Sequence, residues 1–141
     1  MQIRSLDHAA LIVADVERSC QFYRTVMGMD EVPRPSTFTF PGAWFRSGSA
    51  ELHLIGEAEA GRAALLQPAY YERELRRGYL PHLAFEVPDI AAAMRHLEVL
   101  EVPLVGGPQQ RGDGVTQLYI RDPDGYVLEI FARDPVDSAS Q

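Results

Sequence analysis

The chain has 141 residues, of which 46% are hydrophobic and 23% charged, with a formal net charge of -7. That length suits one globular domain able to bury roughly two thirds of its unfolded surface. The apolar runs fall far short of the ~20 residues a membrane span needs, and the acidic balance excludes the clustered Lys and Arg of a nucleic-acid footprint.

In chain order, the first element is LDHAALIVADV, residues 6 to 16, an apolar strand entered through His8. The preceding residues carry no long apolar segment or cleavage signal, so a cytoplasmic location is expected. DVERSCQFYRTVMG follows with Val16, Cys20, Tyr23 and Val26 on one helical face, Asp15 as N-cap and Gly28 as a left-handed stop. Cys20, the single cysteine, excludes an intrachain disulfide or thiolate metal cluster and reads as a buried thiol. Short strands are expected around Glu31 to Pro33, Trp44 to Arg46 and Ala50 to Ile55. Residues 57 to 79 form a linker, helical around Tyr70 to Arg77, that can lean over a pocket. Its basic cluster RELRRGY reads as a solvated helix face.

At residue 80 the pattern restarts. LPHLAFEVPDI matches the opening at a constant offset of 74, pairing His8 with His82 and Asp15 with Asp89. A second helix carries Ile90, Met94, Leu97 and Leu100 on one face, with His96 at its surface. Strands are expected over Leu104 to Gly106, Val115 to Arg121 and Tyr126 to Ala132, the last two joined by the turn DPDG. Each half therefore reads βαβββ, an α+β pattern too small to stand alone. The expected organisation is a single domain over 1–141: module 1 about 3–57, linker or lid 58–79, module 2 about 80–132, and a frayed tail 133–141.

Side chains alternate faces along a strand, which sorts these residues. Leu11, Val13, Leu52, Leu54, Leu83, Phe85, Leu128 and Ile130 belong against the helices. His8, His82, Glu129 and Glu51 or His53 fall on the helix-free face, which lines a cavity if the two sheets curl together. Two imidazoles with one or two carboxylates suit a divalent first-row metal, whereas buried carboxylates without partners are costly.

The opening LDHAALIVADVERSCQFYRTVMGM, the restart PHLAFEVPDI and the ending RDPDGYVLEIF resemble the vicinal oxygen chelate superfamily, the glyoxalase, bleomycin-resistance and ring-cleaving dioxygenase group, over about Ile3 to Phe131. The resemblance implies paired βαβββ modules in a U-shaped mixed sheet around one divalent metal, with His8, His82 and Glu129 as ligands. Glyoxalase I-like members add a fourth ligand at the position of Glu51, for which His53 is a rival. Dioxygenase-like members use three ligands, and the bleomycin-binding branch lacks the set.

The implied function is a metal-dependent lyase or isomerase of glyoxalase type. It moves a proton, through Glu129 or Glu51, on a small molecule that chelates the metal by two neighbouring oxygens. The alternatives are an extradiol-type dioxygenase and a non-catalytic ligand-binding or antibiotic-resistance protein. Zn, Ni, Mn, Fe and Co all suit the ligands. Trp44, Gln117, Tyr119 and Arg121 are pocket candidates. Arg46, Arg62 and Arg111 are loose candidates for contacting the carboxylates of glutathione, for which no clear basic set exists. A homodimer is expected, with each site built in one chain or from two.

Overall fold

The structure, a computed structural model, describes residues 1–67 and 69–133. The chain divides into two compact units, Met1–Pro68 with Pro123–Gly125, and Ala69–Asp122 with Tyr126–Gln141.

The first unit contains β1 (Ala9–Val13), α1 (Val16–Thr25), β2 (Asp30–Val32), β3 (Gly42–Ser47), β4 (Ala50–Gly56) and the short α2 (Arg62–Leu65). Its four strands form a mixed sheet in the order β1-β4-β3-β2, with β1 and β4 parallel. Asp15 caps α1, its carboxylate accepting the Arg18 N–H at 3.0 Å, while Gly28 has the expected left-handed φ of 63°. Leu11, Val13, Leu52 and Leu54 are buried together with Cys20 and Tyr23 of α1, so the alternation read from the sequence describes the core face. The N–H of Ala14 and the hydroxyl of Ser19 both donate to the Asp124 carboxylate, at 2.9 and 3.3 Å.

The second unit contains α3 (Glu72–Arg77), β5 (Leu83–Glu86), α4 (Ile90–Val99), β6 (Gly106–Gln110), β7 (Val115–Arg121) and β8 (Val127–Arg133). Its sheet has the same order in the repeat, β5-β8-β7-β6, with β5 and β8 parallel. Asp89 repeats the capping role of Asp15, accepting from Ala91 and Ala92. Leu97 is the buried member of the predicted α4 face; Ile90, Met94 and Leu100 are half-buried, and His96 is exposed as expected. At the β7–β8 turn, Asp122 and Tyr126 exchange hydrogen bonds and Gly125 takes a φ of 95°.

The elements depart from expectation in three places. The strand expected over Leu104 to Gly106 runs instead over Gly106–Gln110, with a register shift between Gly106 and Gln109. Its GGPQQ sequence is poor strand material, yet an edge strand beside β7 tolerates Pro108 because one side of its backbone needs no partner. The linker contains α2, unanticipated from sequence, where Glu57 gathers the N–H groups of Gly61 and Ala63 at 3.0 and 2.8 Å. The helix expected around Tyr70 to Arg77 is α3, ended by Gly78 at a left-handed φ of 69°. Arg133, expected in a frayed tail, closes β8 and pairs with Glu86; the rest of that tail lies outside the described residues. No described helix is long and apolar enough to cross a membrane.

Candidate metal centre

In the second unit the critical pair is His82 and Glu129. His82 stands one residue ahead of β5, and Glu129 sits at mid-strand in β8, only 4% exposed. The His82 Nδ1 is 2.7 Å from the carbonyl oxygen of Leu80. A carbonyl can only accept, so Nδ1 carries the proton and a neutral ring turns the lone pair of Nε2 outward. That Nε2 lies 2.9 Å from Glu129 Oε2. Two lone-pair atoms this close need a cation to reconcile them, either a proton on Nε2 or a metal ion within reach of both. The backbone carbonyl behind the imidazole is also the kind of partner that orients metal-ligating histidines.

Two further groups hold Glu129. The Tyr119 hydroxyl donates to Oε2 at 3.2 Å from directly across the ladder, and burial, aided by the Glu129 charge, pushes its pKa up to about 12, keeping it a donor. Arg111, forked onto Asp113, brings Nη1 to 3.8 Å from Oε1. Oε1 is nonetheless buried without a hydrogen bond, as is Gln117 Oε1 on the same sheet face. His82 and Glu129 thus supply one imidazole and one carboxylate, two donors of the kinds that divalent first-row ions take.

The Glu129 face is not helix-free as expected. Leu75 of α3 packs with Tyr119 and Val127, and Tyr70, Leu80 and Val105 close around them. The reason is Tyr119, whose ring must be covered when its hydroxyl reaches a buried carboxylate. Gly78, immediately after α3, lies so close that a Cβ there would overlap the Tyr119 hydroxyl. Arg121 lies farther along the same face, in an open groove of about 640 Å3 between α3 and β6.

The first unit carries a second constellation. His8, one residue ahead of β1, has its Nδ1 2.7 Å from the Asp7 carboxylate, the same orientation logic as His82 with a different acceptor. Its ring stacks on His53 at 4.0 Å, and His53 stacks on Trp44 at 3.9 Å with the planes 3° apart, because Trp44 is its direct partner across the β3–β4 ladder. His53 Nε2 meets Glu51 Oε1 at 2.9 Å, while Arg46 grips Oε2 through two nitrogens at 3.0 and 2.7 Å. These bonds, His53's first and Arg46's second, hold the Glu51 carboxyl below the usual carboxylate range.

Strand register adds a relation hidden in the linear text. Ala10 and Ala84 are repeat counterparts; the partner of Ala10 on β4 is His53, and that of Ala84 on β8 is Glu129. His53 is therefore the positional mate of Glu129, with Glu51 one pleat away. Sequence reasoning missed the acceptors that orient the two imidazoles, although Asp7 stood beside His8 to be read. The structure brings together His8, His53, Glu51 and Trp44 in one unit, and His82, Glu129 and Tyr119 in the other. Among the described residues no three His, Cys, Asp or Glu side chains gather in a group that could hold a metal ion. Of the basic candidates, Arg46 is committed to Glu51, Arg111 to Asp113, and Arg62 stands exposed at the start of α2.

Two βαβββ units, each entered through an oriented histidine and carrying carboxylates on its last strand, define a class of repeated α+β proteins. The family model of the Glyoxalase/Bleomycin resistance protein/Dioxygenase superfamily matches residues 5–130, and the chain belongs to that superfamily. It is 26% identical over 131 residues to Glyoxylase I 4 of Arabidopsis thaliana, covering 92% of this chain and 71% of that protein. It is also 26% identical, over an alignment of 153 residues, to lactoylglutathione lyase of Pseudomonas putida, covering 92% and 86%. The solved structure of a glyoxalase/dioxygenase from Nostoc punctiforme aligns with a TM-score of 0.71 at 26% identity, covering 92% and 91%.

Proposed function

We propose that the protein is a divalent-metal-dependent lyase or isomerase of glyoxalase type, acting by proton transfer on a small molecule with two neighbouring oxygens. The ligand set follows the repeat: His8 and His82, Glu129, and Glu51 as the fourth, with His53 its rival. The observation that carries the reading is the His82–Glu129 pair. One imidazole is oriented by a carbonyl so that its Nε2 faces a buried carboxylate, whose other oxygen lacks a hydrogen bond. When bound, the metal would polarise the substrate oxygens and stabilise negative charge developing there.

The remaining work falls to side chains. Glu129 Oε1, which lacks a hydrogen bond and has only Arg111 Nη1 nearby at 3.8 Å, is the oxygen assigned to take a proton from the carbon beside a carbonyl and return it to the neighbouring carbon, a transfer needing no external oxidant or reductant. Tyr119 and His82, both on Oε2, fix the carboxylate while Oε1 acts. The test supplies Zn-loaded protein with the hemithioacetal of a 2-oxoaldehyde in deuterium oxide. Thioester formation, lost in Glu129→Gln, supports the reading; metal-loaded protein that never forms thioester counts against it.

One observation favours a second reading, an extradiol-type dioxygenase. Both oxygens of Glu51 are already engaged by Arg46 and His53, and without Glu51 the set reduces to His8, His82 and Glu129. Under that reading Glu51→Ala leaves metal affinity unchanged, and Fe(II)-loaded protein consumes dioxygen with a catechol. Under the isomerase reading the same substitution weakens metal binding and no dioxygen is consumed.

A further inference from the structure

Glu129 has a third neighbour that the proposed chemistry does not use. Arg111 stands where β6 turns into β7, its N–H donating to the Val115 carbonyl at 2.8 Å, and the glycines of that turn, Gly112 and Gly114, take left-handed φ values of 96° and 76°. The turn folds Asp113 back onto Arg111, whose Nε donates to its carboxylate oxygens at 3.0 and 3.1 Å and whose Nη2 donates at 2.8 Å. The guanidinium also lies over the Phe131 ring, 5.9 Å from its centre, and Phe131 follows Glu129 on the same face of β8. These contacts hold a long side chain in one place. Nη1, which Asp113 does not engage, is the nitrogen that stands 3.8 Å from Glu129 Oε1.

That position matters because of charge. Glu129 is 4% exposed and its Oε1 lacks a hydrogen bond, so an ionised carboxylate there needs a cation close by. His82 and the Tyr119 hydroxyl meet it at Oε2, and Arg111 faces it at Oε1. With the His82 proton held on Nδ1 by the Leu80 carbonyl and Tyr119 neutral, Arg111 is the one permanent cation among the described residues within ion-pair distance of this carboxylate. Arg133 provides the contrast. It lies over the same ring at 5.6 Å, yet it pairs with Glu86 at 3.0 Å instead of Glu129.

We infer that Arg111 is the built-in counter-cation of Glu129: it balances the buried carboxylate when no metal is bound and, being positive itself, opposes a divalent ion at the same oxygen, so that it sets the metal affinity of the centre. The metal half rests on the His82–Glu129 reading, while the charge pairing stands on the placement of Arg111 alone. The two halves are linked, because a metal ion that takes the carboxylate displaces the pairing with Arg111.

Urea unfolding of the full chain, at neutral pH with a chelator present, compares the native protein, Arg111→Met, Glu129→Gln and the double variant. Methionine keeps an apolar stem over Phe131 and removes the charged fork. Arg111→Met is expected to lower stability in the native background and to have little further effect beside Glu129→Gln, whereas Arg133→Met loses the same amount in both. Equal losses for Arg111→Met in the two backgrounds, or a coupling as large for Arg133→Met, overturn the pairing. Calorimetric titration with Zn2+ reads the other half. Arg111→Met is expected to bind Zn2+ about tenfold tighter than the native chain, and Arg111→Lys, which restores a positive charge, to return toward the native affinity. Zn2+ binding that is unchanged or weaker in Arg111→Met overturns the role in metal affinity. If neither the native chain nor any variant binds Zn2+, the metal reading falls, and the unfolding comparison still decides whether Arg111 is the counter-cation.

Discussion

Replacing Gly78 with alanine isolates the contact that holds Tyr119 over Glu129. Gly78 has φ +69°, and a Cβ there would overlap the Tyr119 hydroxyl and Cζ, with Cε1 at 2.9 Å. The left-handed backbone alone costs an L-residue about 1–2 kcal/mol. Forcing a methyl group into a filled space adds about 1–3 kcal/mol, because Tyr119 is 2% exposed and wedged between Leu75 and Val127. The sum, about 2–5 kcal/mol, lowers the melting temperature by roughly 6–20 °C for a chain of this size. Gly28 is the control, since its φ of +63° is nearly the same but nothing lies within 4 Å of a Cβ there. Gly28→Ala is expected to lose only the backbone share of about 1–2 kcal/mol. Urea unfolding of both variants gives the comparison; equal losses would refute the claim that Gly78 exists to admit the Tyr119 hydroxyl.

Acidification gives a second expectation. The folded Glu51 carboxyl is held below its ordinary value near 4.5, so its stabilising contribution is fully present above that value and fades as pH falls through the folded pKa. Melting temperatures followed downward from about pH 6 should drop less steeply in Glu51→Gln than in the native chain; parallel curves would remove the His53 and Arg46 bonds as the cause. Cys20, buried against the first sheet with its thiol pKa raised chiefly by burial, should react slowly with a disulfide reagent in the folded protein and release its full thiol signal on denaturation. Rapid labelling of folded protein would contradict the packing of α1.

Much of this architecture was legible because it was written twice. The offset linking His8 to His82 and Asp15 to Asp89 located both strand entrances and both helix caps, and alternation alone sorted Leu52 and Leu54 from Glu51 and His53. What stayed hidden depends on partners across a ladder. The stacking of His53 on Trp44 and the placing of Tyr119 against Glu129 follow from strand register, which no single strand states. Nor could GGPQQ announce a strand, since only its edge position beside β7 makes that sequence tolerable. The linker was readable as helix by its period, but its docking by Leu75 on Tyr119 is a tertiary contact without a local signal.

The central claim is that His82 and Glu129 bind a divalent metal. Elemental analysis of the purified native chain and of His82→Ala, with melting temperatures at increasing metal concentration, tests it most directly. The native chain is expected to carry close to one divalent ion per chain, to gain about 2.7 kcal/mol of stability at a metal concentration a hundred times the dissociation constant, and to bind at least tenfold more weakly once His82 is removed. A native protein with no bound divalent metal and no metal-dependent rise in melting temperature, or a His82→Ala variant that binds as tightly as the native chain, would contradict it.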